Sequence, residues 1–120
     1  MRIDAHHHLW TLAWGDYGWL TPDLAPIYRD FRLSDLAPHL AAACIEGTIL
    51  VQAAPTEAET MFLLDIAEKA EVVRGVVGWT DFEAAGAVAR MMRWQRETSW
   101  WGCGRWCRTS LTMIGCSVRH

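Results

Sequence analysis

Three consecutive histidines, His6, His7 and His8, follow a short strand-like opening, Arg2-Ile3-Asp4-Ala5. Side chains alternate along a strand, so His6 and His8 share one face while His7 takes the other, and two imidazoles on one face can chelate a single divalent ion. Taken alone, the run fits equally a polar strand end or a tag-like histidine tract. A second set of ligand-type residues lies in the tail, where Cys103, Cys107, Cys116 and His120 could form a small zinc site. Cys-x3-Cys followed by an unpaired Cys is a loose match to the usual zinc spacings.

These residues need elements to hold them. Gly47–Gln52 and Val72–Trp79 are β-branched runs of the kind found in strands buried on both faces, and with residues 2–5 they predict three parallel strands. Ser34 to Ile45 reads as a helix with Ser34 as N-cap, Pro38 in the first turn and Gly47 beyond its end. The next connector opens with Thr56-Glu57-Ala58-Glu59, a capping box in which the Thr56 hydroxyl and the Glu59 carboxylate satisfy free N–H groups. Met61, Leu64, Ile66 and Ala67 continue it at helical spacing, and alanine-rich Asp81 to Arg90 reads as the start of a third helix.

The order β-loop-α-β-α-β-α predicts an α/β fold with a parallel sheet and right-handed crossovers. One connection is unusual. Leu9 to Arg32 far exceeds the ~2–6 residues common between a strand and its helix, and it carries Trp10, Trp14, Tyr17, Trp19 and Tyr28. Those rings either pack the loop onto the sheet or line a site.

At 120 residues the chain has the length of one modest domain and falls below the ~200 a closed (β/α)8 barrel needs. The net charge of -3, the pI near 5.9 and eleven scattered Lys and Arg argue against a nucleic-acid partner. No apolar run approaches the ~18 residues of a membrane span, and the opening is unlike a signal peptide, which makes a cytoplasmic location the expectation.

Asp4-Ala5-His6-His7-His8-Leu9-Trp10 resembles the first strand of the amidohydrolase superfamily, in its fuconolactonase-like branch of sugar-acid lactonases. Tyr17-Gly18-Trp19-Leu20, Tyr28-Arg29-Asp30-Phe31, Val51-Gln52-Ala53 with Thr56-Glu57-Ala58-Glu59-Thr60, and Gly75-Val76-Val77-Gly78-Trp79-Thr80-Asp81 are similar to the same branch, in its order and at its spacing. The set is specific even though each piece is short. It covers residues 1 to about 90.

The resemblance implies the first three β/α units of a (β/α)8 TIM barrel. It implies His6 and His8 as the first two ligands of a divalent metal, most readily zinc, and Trp19 and Gln52 as pocket-wall residues. A small sugar lactone would be the substrate, opened by attack of water on the ester carbonyl. The remaining ligands and the aspartate that takes the proton would lie on later strands, which these residues do not reach; the catalytic residues are therefore unknown, and the chain is expected to be inactive alone. The alternative is a non-catalytic remnant or small zinc-binding protein using the tail cysteines and histidine.

From Met91 the composition shifts, and residues 91–120 are expected to form an irregular tail. Reading the same codons in another frame forces Asp from Met91-Met92, Val from Trp100-Trp101, Gly from Trp101-Gly102, Val from Trp106-Cys107 and Asp from Met113-Ile114. Free choices elsewhere allow a stretch similar to the family's helix end, fourth strand and following loop, so an out-of-frame tail is the expectation.

Overall fold

The computed structural model describes residues 1–97, 100–104 and 113–114, with side chains described for residues 1–96. The first strand, β1 (Ile3–His7), runs beyond Ala5 into the histidines, while β2 (Gly47–Val51) and β3 (Val73–Gly78) stand where their β-branched runs predict. The three pair in parallel and in chain order, Ile3 opposite Gly47 and Thr48 opposite Val73. Two further strands follow: β4 (Trp100–Gly104) joins β3 in parallel, and β5 (Met113–Ile114) joins β4 antiparallel.

Three helices connect these strands, α1 (Leu33–Ala42), α2 (Glu57–Lys69) and α3 (Ala87–Glu97). The start of α1 departs from expectation: Arg32 is the N-cap, and its main-chain N–H donates to Asp35 Oδ2 at 2.8 Å, so Ser34 lies inside the first turn. Pro38 consequently sits in the helix interior, where it leaves the Ser34 carbonyl without its usual i+4 donor. Helix α3 starts at Ala87, later than the alanine content predicts, because Gly86 at φ 81° places a left-handed residue immediately before it.

The expected break at Met91 falls inside α3, which continues to Glu97. The reason is packing. Trp94, only 3% exposed, joins Leu50, Leu63, Leu64, Ala67, Val73, Val76 and Leu9 in the core between the sheet and its helices. A buried side chain of that size contributes about 2 kcal/mol or more, which outweighs weak local helix propensity.

A second apolar cluster seats the long connection. Trp10, Tyr17 and Leu20 bury against Ala53 and Ala54, with Ile27 and Phe31 beside them. Main-chain hydrogen bonds in both directions between Trp10 and Phe31, 3.1 and 3.0 Å, close the loop on itself. Packing onto the sheet thus accounts for Trp10 and Tyr17, whereas Trp14, Trp19 and Tyr28 remain about two-fifths exposed.

Where strand β3 ends, Gly78 lies under Thr60 of α2. A Cβ on Gly78 would stand 2.4 Å from Thr60 Cγ2, so only glycine lets helix and strand approach this closely. Thr60 Oγ1 in turn accepts the Trp79 N–H at 2.7 Å and donates to the Trp79 carbonyl at 2.8 Å.

Candidate functional site

The site begins with an irregularity in β1. Between Asp4 and His7 that strand advances three residues while β2 advances two, from Thr48 to Leu50, which is the signature of a bulge. The His6 N–H donates to Asp4 Oδ1 at 3.1 Å. Bulges re-aim side chains, and here His6 and His8 emerge on one exposed side while His7 turns to the buried side.

His6 Nε2 and His8 Nε2 lie 3.1 Å apart, their rings edge to face. Two nitrogens bound to one tetrahedral zinc ion at ~2.0–2.1 Å would stand about 3.3 Å apart, so the pair is already set for shared coordination. The second ring nitrogen of His8 decides its proton arrangement. His8 Nδ1 is 2.9 Å from the Val51 carbonyl, which can only accept, so the proton is on Nδ1 and the lone pair of the neutral ring is on Nε2. The donors therefore fit a divalent ion as two of its ligands.

His7 serves structure. Its Nε2 pairs with Thr48 Oγ1 at 3.0 Å, and burial holds its pKa below the ordinary histidine value. His39 lies on α1, away from the pair. Cys103 falls within β4, whereas Cys107, Cys116 and His120 lie outside the described residues. Among the described residues no three His, Cys, Asp or Glu side chains converge to hold an ion.

The two pocket-wall candidates flank the loop after β2. Trp19 is 40% exposed; it meets Trp10 edge to face at 5.5 Å, and its indole N–H donates to the Ala53 carbonyl at 2.9 Å. Gln52 is buried, with its main-chain N–H donating to the Val77 carbonyl at 2.8 Å. Gln52 and Ala53, the partner of Trp19, thus sit one and two positions beyond Val51, the partner of His8.

Sequence reasoning missed the role of Glu59. As expected, Thr56 Oγ1 accepts the Glu59 N–H at 3.1 Å, and the same hydroxyl donates to Asp16 Oδ2 at 2.7 Å. The Glu59 carboxylate leaves the cap and takes the Ala53 N–H at 3.0 Å on both oxygens and the Ala54 N–H at 2.7 Å. Burial raises its pKa against the pull of those donors, and burial together with the nearby Glu59 raises that of Tyr17. The only signal in the sequence is the capping box itself.

No family model matches the chain. It is 41% identical over 101 residues to an L-fucono-1,5-lactonase of Burkholderia ambifaria, and 34% identical over 95 residues to an L-fucono-1,5-lactonase of Burkholderia multivorans. Two crystal structures of a Burkholderia multivorans amidohydrolase, one with bound HEPES and one with bound zinc, are similar at TM-scores of 0.79 and 0.78 and 34% identity. Over the matched residues this chain is similar to part of an amidohydrolase-superfamily lactonase.

The two sequence matches take in 84% and 79% of this chain but 35% and 32% of the relatives, so it spans about a third of their length. Each structural match takes in 86% of this chain and 36% of that amidohydrolase. A stretch of 101 residues in a chain of 120 must contain residues 20 to 101 wherever it starts, so the lactonase likeness extends past Met91, as α3 does.

Proposed function

We propose that the chain carries the metal-binding opening of a lactonase that hydrolyses a sugar-acid lactone. The observation that carries this reading is the convergence of His6 Nε2 and His8 Nε2, with His8 oriented by the Val51 carbonyl. On this reading residues 1–90 are the first three β/α units of a (β/α)8 barrel, and the pair stands at the C-terminal end of β1, the end where such barrels assemble their sites. His6 and His8 would hold two positions of a divalent ion, zinc by preference for imidazole, as support from the zinc-bound relative favours.

A bound ion of this kind polarises an ester carbonyl or lowers the pKa of a water. The residues of this chain contribute binding and orientation. His8 Nδ1–H on Val51 keeps the Nε2 lone pair aimed at the ion position. Trp19, braced edge to face on Trp10 and tied to Ala53, offers an apolar ring edge to a sugar, with Gln52 behind it. Among the described residues no carboxylate joins the pair to take a proton from water. On this reading the 120 residues alone are inactive, and the whole enzyme works in the cytoplasm.

A chimera tests the assignment. Residues of this chain replace the matching stretch of the Burkholderia ambifaria lactonase, and hydrolysis of L-fucono-1,5-lactone is followed. Turnover that disappears on His6→Ala or His8→Ala is expected; a folded chimera indifferent to both substitutions would overturn the reading.

A further inference from the structure

We propose that Glu59 is a positioning residue: by fixing the loop after β2 it sets the proton arrangement of His8 and the seat of Trp19. The metal-affinity part of this proposal rests on the reading of His6 and His8 as ligands; the loop geometry does not.

The loop is held residue by residue. The Val51 carbonyl accepts from His8 Nδ1, the Gln52 N–H donates to Val77, and the Ala53 carbonyl accepts from Trp19 Nε1. Trp19 in the long connection and His8, one residue beyond β1, thus take their bearings from the Ala53 carbonyl in the loop and the Val51 carbonyl at the end of β2. Those carbonyls stay in place only if the peptide units do. The Ala53 carbonyl shares its peptide unit with the Ala54 N–H, which Glu59 holds at 2.7 Å; the Val51 carbonyl shares its unit with the Gln52 N–H on Val77, and Glu59 acts on it one unit further on, through the Ala53 N–H at 3.0 Å to both carboxylate oxygens.

The cost of this arrangement argues that it does more than cap a helix. Glu59 has no exposed surface, and among the described ion pairs no cation faces it. Burying a carboxylate is unfavourable unless hydrogen bonds replace its water, and at a helix start an exposed carboxylate would cap as well. Here the side chain instead turns inward to the loop. A neighbouring brace works alongside it: Thr56 Oγ1 joins the first turn of α2 to Asp16, beside Tyr17 and Trp19. Loop and long connection are therefore tied at the same point.

The test uses the full 120-residue chain, wild type and Glu59→Gln, with ring 15N spectra of His8, the indole N–H signal of Trp19, and zinc titration. Glu59→Gln keeps the shape but sets an amide group against N–H donors. In the wild type His8 is expected as the single Nδ1–H form. In a folded Glu59→Gln chain the expected result is mixed His8 tautomers, a shifted Trp19 indole signal and zinc affinity about tenfold weaker, the scale of losing a group that orients a metal ligand. A folded variant with the wild-type His8 and Trp19 signals overturns the proposal.

If zinc fails to bind the wild type, or binds it no better than His6→Ala, the metal reading fails while the His8 and Trp19 signals still judge Glu59. If Glu59→Gln does not fold, hydrogen exchange in the wild type decides. Ala53 and Ala54 amides protected as strongly as those of β2 support the proposal, and amides that exchange like an open loop overturn it.

Discussion

His8 Nδ1 donates to the Val51 carbonyl across 2.9 Å, and this single contact leaves the outer nitrogen of the ring free to face His6. Replacing His8 by Ala should weaken zinc binding at least tenfold, measured by competition with a chromophoric chelator. Both rings are exposed, so the melting free energy should move by no more than about 0.5 kcal/mol. A variant that keeps wild-type zinc affinity would remove His8 from the site.

Gly78 and Thr60 make a second testable pair. Gly78→Ala should cost about 1–3 kcal/mol in urea unfolding, because its new methyl meets Thr60 Cγ2 at 2.4 Å. Thr60→Ser removes that methyl yet keeps the hydroxyl on Trp79. The double variant should therefore recover part of the loss, the remainder belonging to Oγ1 at 2.9 Å, and strictly additive effects would show that the crowding lies elsewhere.

Cys44 follows α1 with φ 53°, a left-handed conformation that side chains disfavour. The thiol is exposed and free. Cys44→Gly is expected to stabilise by about 0.5–1 kcal/mol, seen as a raised melting temperature. An unchanged or lower value would mean that the thiol makes a compensating contribution.

Glu59 should also leave a signature in pH. Burial raises its pKa, so the folded state binds its proton more tightly than the unfolded chain. That contribution to stability is complete below the ordinary glutamate value of about 4.3 and is lost as pH rises through the raised pKa. Asp30 and Asp35 slope the other way at lower pH, their carboxyls held down chiefly by the Leu12 and Arg32 main-chain N–H groups. Subtracting the Glu59→Gln curve cancels them. The stability of wild type minus variant should fall with rising pH across that window, and a level difference from pH 4 to 8 would contradict the assignment.

The parts of this molecule legible in sequence are those governed by short periods. Alternation anticipates that His6 and His8 share a face, though not the bulge that aims them, and β-branched runs locate β2 and β3. Features set by distant partners are not legible. Arg32 rather than Ser34 caps α1 because the Asp35 carboxylate reaches back to its N–H, and the helix through Met91 depends on Trp94 entering a core built by β2, α2 and β3. Glu59 shows the limit most clearly: the local motif marks it as a cap, and only the folded loop reveals Ala53 and Ala54 as its partners.

Strand order in the sheet equals strand order in the chain, and this bears on the order of assembly. Thr48 meets Val73 across a much shorter span than Ile3 must cross to reach Gly47, with the whole aromatic connection and α1 lying within the longer one. Loop-closure entropy therefore favours β2, α2 and β3 closing first, with β1 added to an edge already made. On that order the Val51 acceptor would already belong to a paired strand when His8 comes to meet it.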